Sequence, residues 1–227
     1  RMWLITTIGY SNKMTCKSKP MEQAEIRQRF LQTMHGHYRR IRELYFQDFI
    51  FIHIHKTAGS SILRALDIPF GHKTALEKRK ELGQRRWSQR FSFTIVRNPW
   101  DKVVSQYCHR IKTNQTDLGV NPIPFRDWVR LVFAENACPY YDKPKSFMPQ
   151  WYWVTDREAR VIVDLIGRFE NLEQDFQTIC RRINRKAVLP HLKKSEREHY
   201  RHYYDDQTRE IVTQWFWIDI DEFDYRF

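Results

Sequence analysis

At 227 residues, with 39 Lys+Arg against 27 Asp+Glu and a formal net charge of +12, the chain fits one domain. A domain of this length buries roughly 70–75% of its unfolded surface, enough for a real core. The charge favours anionic partners (nucleic acid, acidic membrane, sulfated or carboxylated polysaccharide, nucleotide cofactors) without choosing among them. Four scattered cysteines, Cys16, Cys108, Cys138 and Cys180, form no C-x-x-C pair, which argues against a zinc ribbon and against a dense disulfide scaffold.

In chain order, "MWLITTIGY" is too short and too polar-flanked to span a bilayer, and no run of 18 apolar residues follows it. "MEQAEIRQRFLQTMHGHYRRIRELYF" sets Ile26, Phe30, Met34, Tyr38, Ile41 and Tyr45 near helical spacing and predicts an amphipathic helix leading into a sheet. "FIFIHI" reads as a strand buried on both faces, "SSILRAL" as the helix after it, and "SFTIV", 92–96, as a second strand. Arg97-Asn98-Pro99 then opens the helix "WDKVVSQYCHRI", proline being suited to a first helical turn. Beyond a polar loop at 113–124, "PFRDWVRLVFAE" predicts a helix, 136–149 a loop, and "QWYWV" and "RVIVDLI" two further strands. "NLEQDFQTICRRI" and "YYDDQTREIVTQWF" predict the last helices. Strands alternating with helices indicate a single α/β domain, 1–227, with a mainly parallel central sheet. Residues 1–47 form a helical extension to a core at 48–227.

The segment joining the first strand to its helix, Lys56-Thr57-Ala58-Gly59-Ser60-Ser61, has the makings of an anion site. Gly59 permits close backbone approach, Thr57, Ser60 and Ser61 bring hydroxyl donors, and Lys56 brings a positive charge able to meet a leaving oxygen. It is not a Walker A loop, because the lysine precedes the glycine. Taken alone, the same hexapeptide is explained as well by Ser/Thr capping of the helix. Arg97 at the end of the second strand and Ser105 eight residues on add a guanidinium fork and a hydroxyl that can converge on the same crevice.

"HIHKTAGSS" followed by "FTIVRNPWDKVVSQY" resembles the carbohydrate sulfotransferases that use 3′-phosphoadenosine 5′-phosphosulfate (PAPS), especially the heparan and chondroitin sulfate O-sulfotransferases and their bacterial relatives. The likeness runs from about Phe49 to the C-terminus and takes in "IGRFENLEQDF" and "LPHLKKSEREHYRHYYDDQTREIV". It implies a P-loop-NTPase-like three-layer fold, flanked by helices, and sulfuryl transfer to a hydroxyl, expected on a saccharide, without a metal. It assigns Lys56, Thr57, Ala58, Gly59, Ser60 and Ser61 to the 5′-phosphosulfate, and Arg97 and Ser105 to the 3′-phosphate. The chain departs from the family pattern at His55, where proline is usual, and at Lys193 of "HLKKS", where asparagine is usual ahead of Ser195.

By analogy with phosphoryl transfer, such a reaction rests on positioning and electrostatics, with Lys56 facing the leaving oxygen. A base titrating near neutrality favours histidine. His72, in "IPFGHKTALEKRK", occupies a Gly-His context like that of the catalytic histidine in the resembling 2-O-sulfotransferases. Their pattern is His-Gly-His, whereas this chain has Phe70-Gly71-His72. Glu77 is the runner-up. His53 and His55 share one strand face but lack a third metal ligand, and His199 and His202 read as a solvated face. Trp87 and Trp100, the tryptophans nearest the motifs, read first as core. The basic residues at 78–86 suit either an acidic glycan or plain solvent.

Two other readings stay open on the residues: a divergent P-loop kinase, and a non-enzymatic heparin- or nucleic-acid-binding basic domain. Under the leading reading no nucleic-acid partner is expected. Animal relatives are membrane-associated enzymes of the Golgi and bacterial ones work in the cytoplasm. The cytoplasm is expected here, with the Golgi lumen as the alternative if an anchor precedes Arg1.

Overall fold

The computed structural model of the protein describes residues 23–190 and 197–227. The chain divides into two compact units, Arg1–Tyr38 and Arg39–Phe227. Helix α1, Gln23–Tyr45, is present as its periodicity predicts. Its apolar positions Met34, Tyr38, Ile41 and Tyr45 are nevertheless each more than half exposed. The buried positions at this end are polar. Glu43 meets Lys78 at 2.5 Å, and Gln47 Nε2 donates to the Phe49 carbonyl at 2.8 Å.

Three strands, β1 (Phe49–Ile52), β2 (Phe91–Val96) and β3 (Leu165–Arg168), form a parallel sheet in the order β1-β2-β3. Phe51 sits opposite Phe93, and Phe93 opposite Leu165. Between β1 and β2 run α2 (Gly59–Ala65), α3 (Ala75–Leu82) and α4 (Gln84–Ser88). Between β2 and β3 run α5 (Pro99–Lys112), α6 (Phe125–Val129), α7 (Pro144–Phe147) and α8 (Trp151–Val154). After β3 come α9 (Leu172–Arg182), α10 (Asp206–Trp215) and α11 (Trp217–Glu222). Side chains alternate across a strand, so β1 feeds two cores. Phe49, Phe51, Phe93 and Ile95 pack with Ile62, Phe176 and Ile179 on one face. Ile50, Ile52 and Val96 pack with Trp100, Val104, Trp153 and Val212 on the other. Phe93 and Phe176 are fully buried, each contributing about 1.5–3 kcal/mol of transfer free energy. Helix, sheet and helix make the three layers of the expected α/β fold.

Two of the predicted strands differ in the structure. "QWYWV" is the helical turn α8, because Asp219 from α11 captures its first N–H groups. Its carboxylate accepts from Gln150 N and Trp151 N, each at 2.8 Å. "RVIVDLI" enters the sheet only at Leu165. Before it, Asp164 takes the Ser92 N–H and hydroxyl on its own carboxylate, at 2.7 and 2.6 Å, and Val161 makes a lone antiparallel bridge to Thr155. The helix predicted at "PFRDWVRLVFAE" starts as α6 and widens to a π-helical turn at Arg130–Ala134.

Candidate functional site

β1 and β2 end side by side, and their outgoing segments carry the two sequence motifs. After Ile52 the chain turns through Lys56 and Ala58, both with left-handed backbone (φ 65° and 64°). For side-chain-bearing residues this is strained geometry of a kind that collects at functional sites. Ala58 stands at the cap of α2, and no side chain caps it. The capping explanation of the hexapeptide therefore fails. The Thr57 hydroxyl donates inward to the Ile54 carbonyl at 3.1 Å, Ser60 is exposed and Ser61 is buried. Thr57 is fully buried and its hydroxyl is spent on folding the turn, so the loop presents Lys56, Ala58 and Ser60 at its surface.

Gly59 has a specific cause. A Cβ built there would lie 1.9 Å from His53 Cδ2, so the loop passes directly against the His53 ring. No other residue fits this position without displacing the imidazole.

Arg97, 6% exposed, ties the motifs together. Its Nη1 donates to the Lys56 carbonyl at 2.9 Å, its Nε and Nη2 reach Asp101 Oδ2 at 2.7 Å, and its guanidinium lies 3.8 Å over the Phe169 ring. The fork expected to be open for a phosphate is engaged with Asp101 in this state. Asp101 also pairs with Arg197, so one carboxylate bridges two guanidinium groups. Gln150 clamps the Arg97 backbone from both sides, accepting from Arg97 N at 2.9 Å and donating to Arg97 O at 2.8 Å. Asn98 caps α5 through Trp100 N and Asp101 N, and its own N–H is held by Glu170 Oε1 at 2.7 Å. Ser105 sits half-buried on α5, two turns beyond Arg97. Lys56 feels Arg97, Cys108 and Arg197. Burial first, then Arg97, push its ammonium down to about 8, with Cys108 opposing.

His72 reaches the same end of β1 from the α2–α3 connection. Its Nδ1 donates to the His53 carbonyl at 2.8 Å. A carbonyl only accepts, so Nδ1 carries the proton and Nε2 is left with its lone pair. Burial pushes the His72 imidazole below its ordinary value, opposed by that hydrogen bond. Its ring stacks on His55 at 3.6 Å between centroids (16° between planes) and tilts against His53 at 4.1 Å. Burial, with His72 second, lowers His53 to about 3 and His55 to about 2, so both are neutral rings. Stacked imidazoles hold their nitrogens in parallel planes, and among the described residues no group of three or more His, Cys, Asp or Glu side chains converges to hold a metal.

Glu77 has a different occupation. With Thr74 it closes the capping box of α3, its carboxylate accepting from Thr74 N at 2.8 Å, and it pairs with Lys145 at 2.5 Å. Burial alone would raise this carboxyl, but Lys145 and the Thr74 N–H outweigh it and hold it below the usual range. Of the basic run 78–86, Lys78 is 5% exposed and pairs with Glu43 and Glu81, so it is no surface contact for a glycan. Trp87 and Trp100 are core residues. His199 and His202 are exposed around the turn Tyr200–Tyr203. Lys193 and Ser195 lie outside the described residues. Asp101, Gln150, Phe169, Glu170 and Asp219 were not singled out from the sequence. Their signal there was the family likeness, in which "FTIVRNPWDKVVSQY" carries Asp101 and "IGRFENLEQDF" carries Phe169 and Glu170; Gln150 and Asp219 had none.

The sequence model of the sulfotransferase family matches residues 40–226. The chain belongs to the sulfotransferase family. The matched stretch contains every residue of the loop, the Arg97 cluster and the histidine stack, so the candidate site of this sulfotransferase lies within the family domain, whose chemistry is sulfuryl transfer. It is 32% identical over 107 residues to an uncharacterized protein of Archaeoglobus fulgidus, an alignment covering 46% of this chain and 77% of the relative. No solved structure matches the chain. Among the described residues no helix is long and apolar enough to cross a membrane.

Proposed function

We propose that the protein transfers the sulfuryl group of PAPS to a hydroxyl, with a saccharide as the expected acceptor. The observation that carries this reading is the bond from Arg97 Nη1 to the Lys56 carbonyl, which joins the loop after β1 to the segment after β2. That tie supports one clamp for the two ends of a single nucleotide. Backbone N–H groups of Ala58 to Ser60 and the hydroxyls of Ser60 and Ser61 would hold the 5′-phosphosulfate, with Thr57 shaping the turn beneath them. Arg97 and Ser105 would hold the 3′-phosphate once Asp101 shares its guanidinium.

In the transfer, a bond forms between the acceptor oxygen and sulfur while the bond from sulfur to the 5′-phosphate oxygen breaks. The electron pair of the broken bond stays on that phosphate oxygen, beside the Lys56 ammonium. The acceptor's proton goes to His72 Nε2, the nitrogen that its Nδ1 hydrogen bond leaves basic. His72 suits this role better than Glu77, whose carboxylate is committed to Thr74 and Lys145.

The direct test is calorimetry with adenosine 3′,5′-bisphosphate and with ATP–Mg, together with transfer from labelled PAPS to a panel of glycans. Binding of the bisphosphate, weakened in Lys56→Ala and Arg97→Ala, is expected. Preference for ATP–Mg would point to a kinase. Absence of both binding and transfer would end the proposal.

A further inference from the structure

We infer that His55 is a positioning residue for His72: a flat, neutral ring that fixes the plane of the His72 imidazole. This rests on the reading of His72 as the base. The hydrogen bond from His72 Nδ1 to the His53 carbonyl holds one atom of the ring, and only while the ring keeps the plane that aims Nδ1 at that oxygen. A second constraint is needed to aim Nε2, and the closest ring to His72 is His55, 3.6 Å away and 16° from parallel. Phe70 meets His72 only edge-on at 4.8 Å, and Trp153 edge-on at 6.3 Å. Trp153 also backs His55, edge-on at 5.4 Å.

The chemistry of His55 favours a role for its face over one for its nitrogens. Among the described residues its buried Nδ1 has no hydrogen-bond partner. The charged or titratable groups around it are His53, His72, Lys102 and Lys145, and each disfavours a proton on the ring. A neutral aromatic face accommodates the imidazolium that His72 becomes on taking the acceptor's proton, as ring faces do for cations. A charged His55 would repel it. His55 also directly precedes Lys56 in the chain, so the ring that orients the base and the lysine facing the leaving oxygen are set by adjacent residues of one strained turn.

The test compares His55→Ala with His55→Phe, which keeps a flat ring without nitrogens. One readout is the imidazole ¹⁵N spectrum of His72, which reports its tautomer without any activity. The other is sulfate release from labelled PAPS to water across pH, since water serves as the acceptor. His55→Ala is expected to turn the single Nδ1–H tautomer into a mixture and to lower kcat by about tenfold to a hundredfold, the range set by loss of orientation, with little change in KM for PAPS. His55→Phe is expected to restore the single tautomer, most of the rate and the wild-type pH profile. A single tautomer persisting in His55→Ala, or His55→Phe as impaired as His55→Ala, would overturn the inference. If His55→Ala does not fold, His55→Leu, bulky but without a flat face, takes its place in the same comparison. Wild-type sulfate release by His72→Gln would instead overturn the reading of His72 as base, and the tautomer spectra would still decide what His55 does to the ring.

Discussion

Gly59 shows how narrowly the loop is built. With the Cβ of any substituent 1.9 Å from His53 Cδ2, Gly59→Ala must push the imidazole or the turn aside. Overpacking of this kind costs about 1–3 kcal/mol. Urea unfolding should register that loss, and calorimetry a parallel loss of bisphosphate affinity. His72→Gln should lower kcat by about 10²–10⁴-fold, the usual contribution of a positioned base, with KM for PAPS little changed. The pH dependence has a definite sign on both sides. Because burial lowers His72, the decline of activity on the acid side should lie below the ordinary histidine range. Because Lys56 is lowered to about 8, its ammonium is lost as pH rises through that value, so a second decline should begin there. A kcat/KM profile flat from pH 7 to 10 would remove Lys56 from the reaction.

The elements around the site are set by side chains that cap them. Thr74 and Glu77 close the N-terminus of α3, so Glu77→Ala should cost about 1 kcal/mol in chemical denaturation and leave kcat within a few-fold of wild type. A thousandfold loss of kcat would instead make Glu77 the base. Asp219 does for α8 what a local cap does elsewhere, but from the far end of the chain. Asp219→Ala leaves the Gln150 and Trp151 N–H groups buried without that acceptor, at a cost of about 1–3 kcal/mol. It should also loosen Arg97, which Gln150 holds on both sides, so bisphosphate affinity should fall with stability. This explains why "QWYWV" reads as a strand and folds as a turn. Its aromatic and β-branched residues carry strand propensity, and the carboxylate that overrides it lies about seventy residues away.

The acid stability of the domain follows from its buried imidazoles. In the unfolded chain each histidine takes up a proton near pH 6.5, whereas in the fold His53 and His55 stay neutral to about 3 and about 2. The unfolded state therefore binds more protons below pH 6.5, and stability is lost as pH falls through that window. The loss amounts to about 1.4 kcal/mol per pH unit at most for each ring. Urea midpoints measured from pH 7 to 4 should decline, and less steeply in His55→Phe, which removes one of the two rings.

Local pattern was enough for the strands β1 and β2, the turn between β1 and α2, and the helices α1, α2, α5, α9 and α10, because each is written in consecutive residues. The pairing of Lys56 with Arg97 was legible too, since parallel strands must end on the same side. Contacts between distant residues decided the rest. Asp164 sets where β3 begins, Asp219 and Gln150 hold Arg97, Asp101 occupies its fork, and the His53 carbonyl selects the tautomer of His72. Hydrogen bonds and ring stacking depend on positions and directions in space. Residues 55 and 72 show no relation in the chain until the α2–α3 connection folds back and brings their rings within 3.6 Å.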